Sequence, residues 1–148
     1  MNNNQASAGS VERIYHVSDS LIQDCYQITN QTCPAEAMEI CYRLRSDVEQ
    51  NGHILYVFHG PRFPLGFLKG RIVNGNTAKI DWFFVDDAHR RRGIGARLLA
   101  VYTAICQEYN IKKLSLLSVP NPDTLAFYRK NGFVRAGASY LMSKSLER

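Results

Sequence analysis

The sequence lacks most of the features that would commit a chain to a special environment. No apolar run approaches the roughly 20 residues needed to cross a bilayer, so no membrane partner is expected. Residues 1–10 are rich in Asn, Ser, Ala and Gly, with no basic segment followed by an apolar one. They read as a frayed tail and not as a secretory signal, which makes a cytoplasmic location the default expectation. The 4 cysteines, Cys25, Cys33, Cys41 and Cys106, form no CxxC pair and have no histidine at finger-like spacing. A zinc site is therefore not expected, nor is any other metal. Without a secretory signal a disulfide framework is not expected either, and the thiols read as small apolar core residues. Internal repeats and long linkers are also missing.

What is present suits one soluble domain. The chain has 148 residues, 45% of them hydrophobic and 21% charged. A chain of this length buries roughly two-thirds of its unfolded surface, enough for a core without staples. The formal net charge of +5 favours an anionic partner, such as nucleic acid, an acidic surface or a polyphosphate. Three arginines are adjacent, Arg90, Arg91 and Arg92, while the other basic residues are mostly scattered.

Periodicity gives the order β-α-α-β-β-β-α-β-α-β-β. Residues 11–17 read as a short strand. Ser18 or Ser20 caps a helix whose apolar face is Leu21, Ile22, Cys25 and Ile28. Pro34 opens a second helix with the stripe Ala37, Cys41, Leu44 and Val48, ended by Asn51-Gly52. Strands are expected over 53–58, 65–73 and 77–85, with Asn74-Gly75-Asn76 as the hairpin turn between the last two. A helix over 92–109, a strand over 114–119 and a helix over 123–130 follow. Two closing strands, 133–136 and 139–146, flank Gly137. A meander followed by a β-α-β crossover implies an α+β, or mixed α/β, domain: one mostly antiparallel sheet with helices on both faces.

The most informative segment runs Val85-Asp86-Asp87-Ala88-His89-Arg90-Arg91-Arg92-Gly93-Ile94-Gly95-Ala96, between a strand and a helix. Glycine admits close backbone approach and unusual dihedrals. A helix start presents unpaired N–H groups and partial positive charge, and arginines add charge-assisted hydrogen bonds. This chemistry suits a phosphate ester. It is not a P-loop, because no GxxxxGK[ST] string occurs. A dinucleotide fingerprint fails because its third glycine position is Leu98. A second segment, Asn121-Pro122-Asp123-Thr124-Leu125-Ala126-Phe127-Tyr128-Arg129-Lys130-Asn131-Gly132-Phe133, spaces Asn121 and Tyr128 seven residues apart. That is about two helical turns, so the two share one side.

Together these segments resemble the GNAT superfamily of N-acetyltransferases. Arg90-Arg91-Arg92-Gly93-Ile94-Gly95 resembles the family's Arg/Gln-x-x-Gly-x-Gly/Ala loop. The second segment resembles its Asn…Tyr…Gly-Phe signature, and Leu141-Met142-Ser143-Lys144-Ser145-Leu146 its last strand. His89 departs from the family, standing where many members carry an aromatic residue. The resemblance implies a single acetyltransferase domain over 11–148, with acetyl-CoA as the acyl donor and an amine as acceptor. It implies coenzyme A binding by Arg90, Arg91, Arg92, Gly93, Ile94, Gly95 and Ala96, mostly through main chain. The backbone at Phe84 and Val85 would bind the thioester carbonyl, and Asn121 would bind pantetheine or cap its helix. Tyr128 would protonate the departing thiolate, whose thiol has a pKa of ~8.5 against ~10 for a phenol. The competing reading of Tyr128 is a core residue. Asp81 is the only mid-strand acid on the fourth strand and the candidate general base, or else a surface residue. A homodimer is compatible with the family.

Two other readings stay open on the residues alone. A nucleic-acid-binding module would use the triple arginine, but the aromatics sit at core-like spacing and not among basic residues, so no nucleic acid is expected. A non-catalytic acyl-CoA sensor would share the fold without needing the Tyr128 hydroxyl. The acceptor site is expected from residues 18–51 and the turn at 60–65. The amine's class and the length of the acyl group are left open.

Overall fold

Seven strands form one sheet in the order β1-β2-β3-β4-β5-β7-β6. Along the chain run β1 (Ser10–Ile14), α1 (Asp19–Thr32), α2 (Ala37–Glu49), β2 (Ile54–His59), β3 (Pro64–Ile72) and β4 (Thr77–Val85). A single 3₁₀ turn (Asp87–His89) leads to α3 (Ile94–Glu108), β5 (Lys113–Leu117), α4 (Pro122–Lys130), β6 (Val134–Arg135) and β7 (Leu141–Ser145). The computed structural model describes residues 9–136 and 140–147. The expected tail over 1–10 lies outside the described residues except for Gly9 and Ser10, as does Gly137 between the closing strands. No helix among the described residues is long and apolar enough to cross a membrane.

All neighbouring strands are antiparallel except β4 and β5. On one face, α1 and α2 pack Leu21, Cys25, Ile28, Cys41 and Leu44 against Leu55, Val57 and Phe67. On the other, α3 and α4 pack Leu98, Tyr102, Leu125 and Tyr128 against Phe58, Leu68, Ile80 and Leu114. Strand β2 is covered on both faces, which explains its unbroken apolar run. Gly70 leaves room beneath Tyr102, whose hydroxyl donates to the Lys79 carbonyl at 2.7 Å.

Among the expected boundaries that move, three do so for an identifiable local reason. Strand β1 stops at Ile14, because Val17 is held by α2 instead of by the sheet: its N–H donates to a Glu49 carboxylate oxygen at 2.7 Å, and its carbonyl accepts from Arg45 Nε at 2.8 Å. Pro34 does not open α2. It sits second in a β-turn closed by the Glu36 N–H on the Cys33 carbonyl at 3.1 Å, the position that a fixed φ favours. Helix α3 starts at Ile94 and not at Arg92, because Arg91 (φ 64°) and Gly93 (φ 82°) are left-handed and cannot continue a helix backwards. The Ser18 cap forms as expected, its hydroxyl oxygen accepting from the Leu21 N–H at 3.1 Å. At the hairpin, Asn74 Oδ1 accepts from the N–H groups of Asn76 and Thr77.

Two features of β4 build the site. Its pairing with β5 covers only Thr77 to Ile80, so the strands part from Asp81 onwards. Asp81 is also an extra residue against β3: Gly70 pairs with Ile80 and Lys69 with Trp82. Such a bulge reverses the alternation of faces. Ile80, Phe83 and Val85 pack on the α3 side, and Trp82 and Phe84 pack towards α1.

Candidate active site

The loop leaving β4 ends in an open helix start. Gly93 is the N-cap of α3 and no side chain caps it. The first intrahelical bond joins the Arg97 N–H to the Gly93 carbonyl at 3.0 Å. The N–H groups of Ile94, Gly95 and Ala96 therefore have no partner within the helix, at its positive end. The left-handed Arg91 costs about 1–2 kcal/mol for a residue with a Cβ, a backbone cost concentrated in the loop that the sequence marks for phosphate.

The three arginines differ in their placement. Arg90 is committed to the protein, with Nε 3.1 Å from Asp87 Oδ1 and one terminal nitrogen donating to Thr32 Oγ1 at 3.0 Å. Arg91 reaches Asp123 in the first turn of α4 at 3.6 Å, both side chains being exposed. Arg92 is exposed and forms no ion pair among the described residues. The triple arginine is thus not a uniform basic patch. Of the loop's two acids, Asp87 is exposed and Asp86 is turned inward: it accepts from Gln31 Nε2 at 2.8 Å and lies 2.7 Å from His89 Nδ1. Burial opposes the charge of Asp86, but the bonds from Gln31 and His89 outweigh it and hold its carboxyl below the usual range.

The second segment converges on the same place. Asn121 caps α4, its Oδ1 accepting from the N–H groups of Asp123 at 2.9 Å and Thr124 at 3.3 Å, so only its amide nitrogen is left for a ligand. Pro122 begins the helix, where a missing N–H is no loss. Tyr128 is 7% exposed. Its ring lies 5.4 Å from Phe127, 5.5 Å from Phe133 and 6.3 Å from Phe83. A methyl added at Gly95 would meet Phe127 at 3.3 Å, so the first turn of α3 abuts this aromatic cluster. The Tyr128 hydroxyl has no hydrogen-bond partner among the described residues. Burial pushes its pKa up, so it holds its proton at neutral pH. Cys106 is no rival as a reactive group, because burial pushes its thiol up to about 11.

On the opposite face of the sheet, Asp81 belongs to an ionic cluster. Lys69, 2% exposed, donates to Asp47 Oδ2 at 2.8 Å, lies 2.9 Å from His53 Nδ1 and is 3.6 Å from Asp81 Oδ2. Arg71 Nε donates to Asp81 at 3.1 Å. Two cations and two carboxylates thus meet around a histidine, at the point where β4 and β5 part. The Asp81 side chain is 17% exposed, and the bulge turns it to the face of the sheet that α1 and α2 cover. Lys69, Asp47 and His53 were not expected in the site. The signals were an ammonium inside the apolar run Leu65-Gly66-Phe67-Leu68-Lys69 and a carboxylate on the buried stripe of α2, each of which needs a partner.

The region expected to take the acceptor does contain a cleft, of about 270 Å3, between the start of α1 (Ser18, Leu21, Asp24) and the β2–β3 turn (His59, Arg62, Phe63). A smaller one, of about 170 Å3, lies between that turn and His89.

Comparison with known proteins agrees with this geometry. The profile of the acetyltransferase (GNAT) family matches residues 19–133. No curated protein matches the sequence significantly. Among solved structures, Ard1 from Thermoplasma volcanium is 25% identical, with a TM-score of 0.77 over 95% of this chain and 99% of its own. The PaiA N-acetyltransferase from Thermoplasma acidophilum, in complex with coenzyme A, is 19% identical with a TM-score of 0.76 over 92% of this chain and 99% of its own. An aminoglycoside 6′-acetyltransferase type Ii is 14% identical with a TM-score of 0.78 over 94% and 98%. The last two are likenesses of fold.

Proposed function

The chain belongs to the acetyltransferase (GNAT) family, and from that premise we propose that it moves an acetyl group from acetyl-CoA to a primary amine by direct attack on the thioester. The observation that carries this reading is the convergence of the open α3 start and the Tyr128 ring on Phe83, in the part of β4 that β5 does not pair. Acetyl-CoA supplies an activated acyl group as its thioester.

The residues present fit that donor. The N–H groups of Ile94, Gly95 and Ala96, with the cation of Arg92, would hold its pyrophosphate, and Gly93 and Gly95 let the backbone come close. The edge of β4 from Asp81 to Val85 has no neighbouring strand towards β5. Its backbone at Phe84 and Val85 can meet a carbonyl oxygen as it gains charge. Asn121 keeps an amide nitrogen for the pantetheine arm. Tyr128 gives its proton to the leaving sulfur. Asp81, on the acceptor face at the apex of the gap, takes the proton of the amine directly or through water, in competition with Arg71 and Lys69.

Isothermal titration of the purified protein with acetyl-CoA, with ATP and NAD as controls, tests the reading. Selective binding of acetyl-CoA is expected. Failure to bind it or any longer acyl-CoA would overturn the assignment.

A further inference from the structure

We propose that the last turn of α1 sets the shape of the phosphate loop, with Gln31 as a positioning residue for acetyl-CoA. This inference rests on the acetyl-CoA reading above.

The loop has little structure of its own. Between β4 and α3 it holds one 3₁₀ turn and then two left-handed residues, Arg91 and Gly93. A backbone in sparsely populated dihedrals persists only where its surroundings hold it there. Here one helical turn ties the loop entry, beside the Asp86 N–H on the Leu65 carbonyl at 2.8 Å and Arg91 beside Asp123 at 3.6 Å. The Gln31 amide uses both of its ends: Nε2 donates to Asp86 Oδ1 at 2.8 Å, and Oε1 accepts the Asp87 N–H at 2.8 Å. One residue further on, Thr32 Oγ1 accepts from Arg90 at 3.0 Å. Three points of the loop entry, Asp86, Asp87 and Arg90, are thus tied to a helix that is itself fixed by the burial of Leu21, Cys25, Ile28 and Thr29.

Charge gives the arrangement its purpose. Asp86 and Asp87 bring two carboxylates to a loop that must receive an anion. Gln31 draws the Asp86 carboxylate towards α1 and His89 pairs with it, while Arg90 pairs with the carboxylate of Asp87. Without Gln31, Asp86 loses a donor, the Asp87 N–H loses its acceptor, and the N–H groups at the start of α3 lose their fixed aim. The same helix lines the 270 Å3 cleft through Ser20, Leu21 and Asp24. One rigid element therefore touches both the cofactor loop and the region expected to take the acceptor.

The test uses the full chain and titration with acetyl-CoA. Gln31→Met keeps the bulk of the side chain and removes both bonds. It should weaken acetyl-CoA about tenfold, the size of one to two net hydrogen bonds, with little change in Tm. Gln31→Glu faces one carboxylate with another and should weaken binding at least as much. Combining it with Asp86→Asn exchanges donor and acceptor and should restore affinity towards that of the wild type. A merely structural role for Gln31 would not give that rescue. Wild-type affinity in Gln31→Met, or no rescue in the double variant, overturns the proposal. Failure of the unaltered protein to bind acetyl-CoA would instead remove the donor reading on which it rests.

Discussion

Residues 85–133 and the structure built by α2 and β3 achieve order in different ways. The first works through backbone and local sequence: an uncapped helix start, two left-handed residues, a capping Asn121 and a tyrosine seven residues later. The second works through side chains brought together from afar. Lys69 meets Asp47 across 22 residues and Arg45 meets Val17 across 28. A phosphate is the same ligand in any protein, and a few N–H groups in the right dihedrals suffice to hold it. The difference predicts that damage to the first region appears in rate or cofactor affinity, and damage to the second appears in stability.

The largest effect should come from Tyr128→Phe, which deletes one oxygen from a packed ring. If Tyr128 is the acid, kcat falls about 10²–10⁴-fold, the usual range for general acid catalysis, while the Kd for acetyl-CoA and the Tm stay near wild type. A loss below tenfold would make Tyr128 a core residue and leave the proton donation to another group or to water. Asp81→Asn in the same assay separates its two possible duties. A base would leave its mark on the pH–rate profile, whereas a carboxylate that only anchors the bulge would lower Tm without changing the profile's shape.

Next in size is Lys69→Met. It strands the Asp47 carboxylate, and breaking a buried pair costs about 3–5 kcal/mol. At roughly 2–4 °C per kcal/mol for a domain near this size, Tm should fall by about 10 °C. Adding Asp47→Leu should recover most of that loss, because an apolar replacement of both partners is often neutral or better. Acetyl-CoA affinity in the double variant should match wild type. A lost affinity there would break the division between the two regions.

That division also explains what could be read in the sequence. The element order, the mixed sheet and both family segments were legible because they rest on periodicity, turn residues and short strings. The exchange of faces at Asp81 was not. A bulge depends on the register of β4 against β3, which no local pattern of Thr77–Val85 records. Arg90 shows the same limit within the motif. Its position in the string suggested cofactor binding mostly through main chain and said nothing of its guanidinium, which Asp87 and Thr32 hold, the latter 58 residues away. Asn121 stood evenly between capping and binding, and the structure gives its oxygen to capping. The residues that support the acceptor face were visible only as anomalies, a lysine and an aspartate in apolar surroundings.

The smallest effect, and the one most particular to the acceptor side, is a pH dependence of stability. Burial and the adjacent Lys69 ammonium hold the His53 pKa below its ordinary 6.5, with Asp47 and Asp81 opposing them. The fold therefore disfavours the imidazolium. The contribution of His53 is fully present above pH 6.5 and is lost as the pH falls through the lower folded pKa. For Asp47, burial works against the carboxylate, but the hydrogen bond and charge of Lys69 outweigh it, so its pKa also lies below its ordinary 3.8. Its contribution is present above pH 3.8 and is lost as the pH falls further. Both signs agree, so Tm measured against pH should hold near neutrality and then weaken in two stages. His53→Gln can still accept from Lys69 but cannot titrate. The upper stage should vanish in this variant while the acid stage persists. If the upper stage survives the substitution, the ionic cluster is not what titrates there, and the stability of this face must rest on its apolar packing instead.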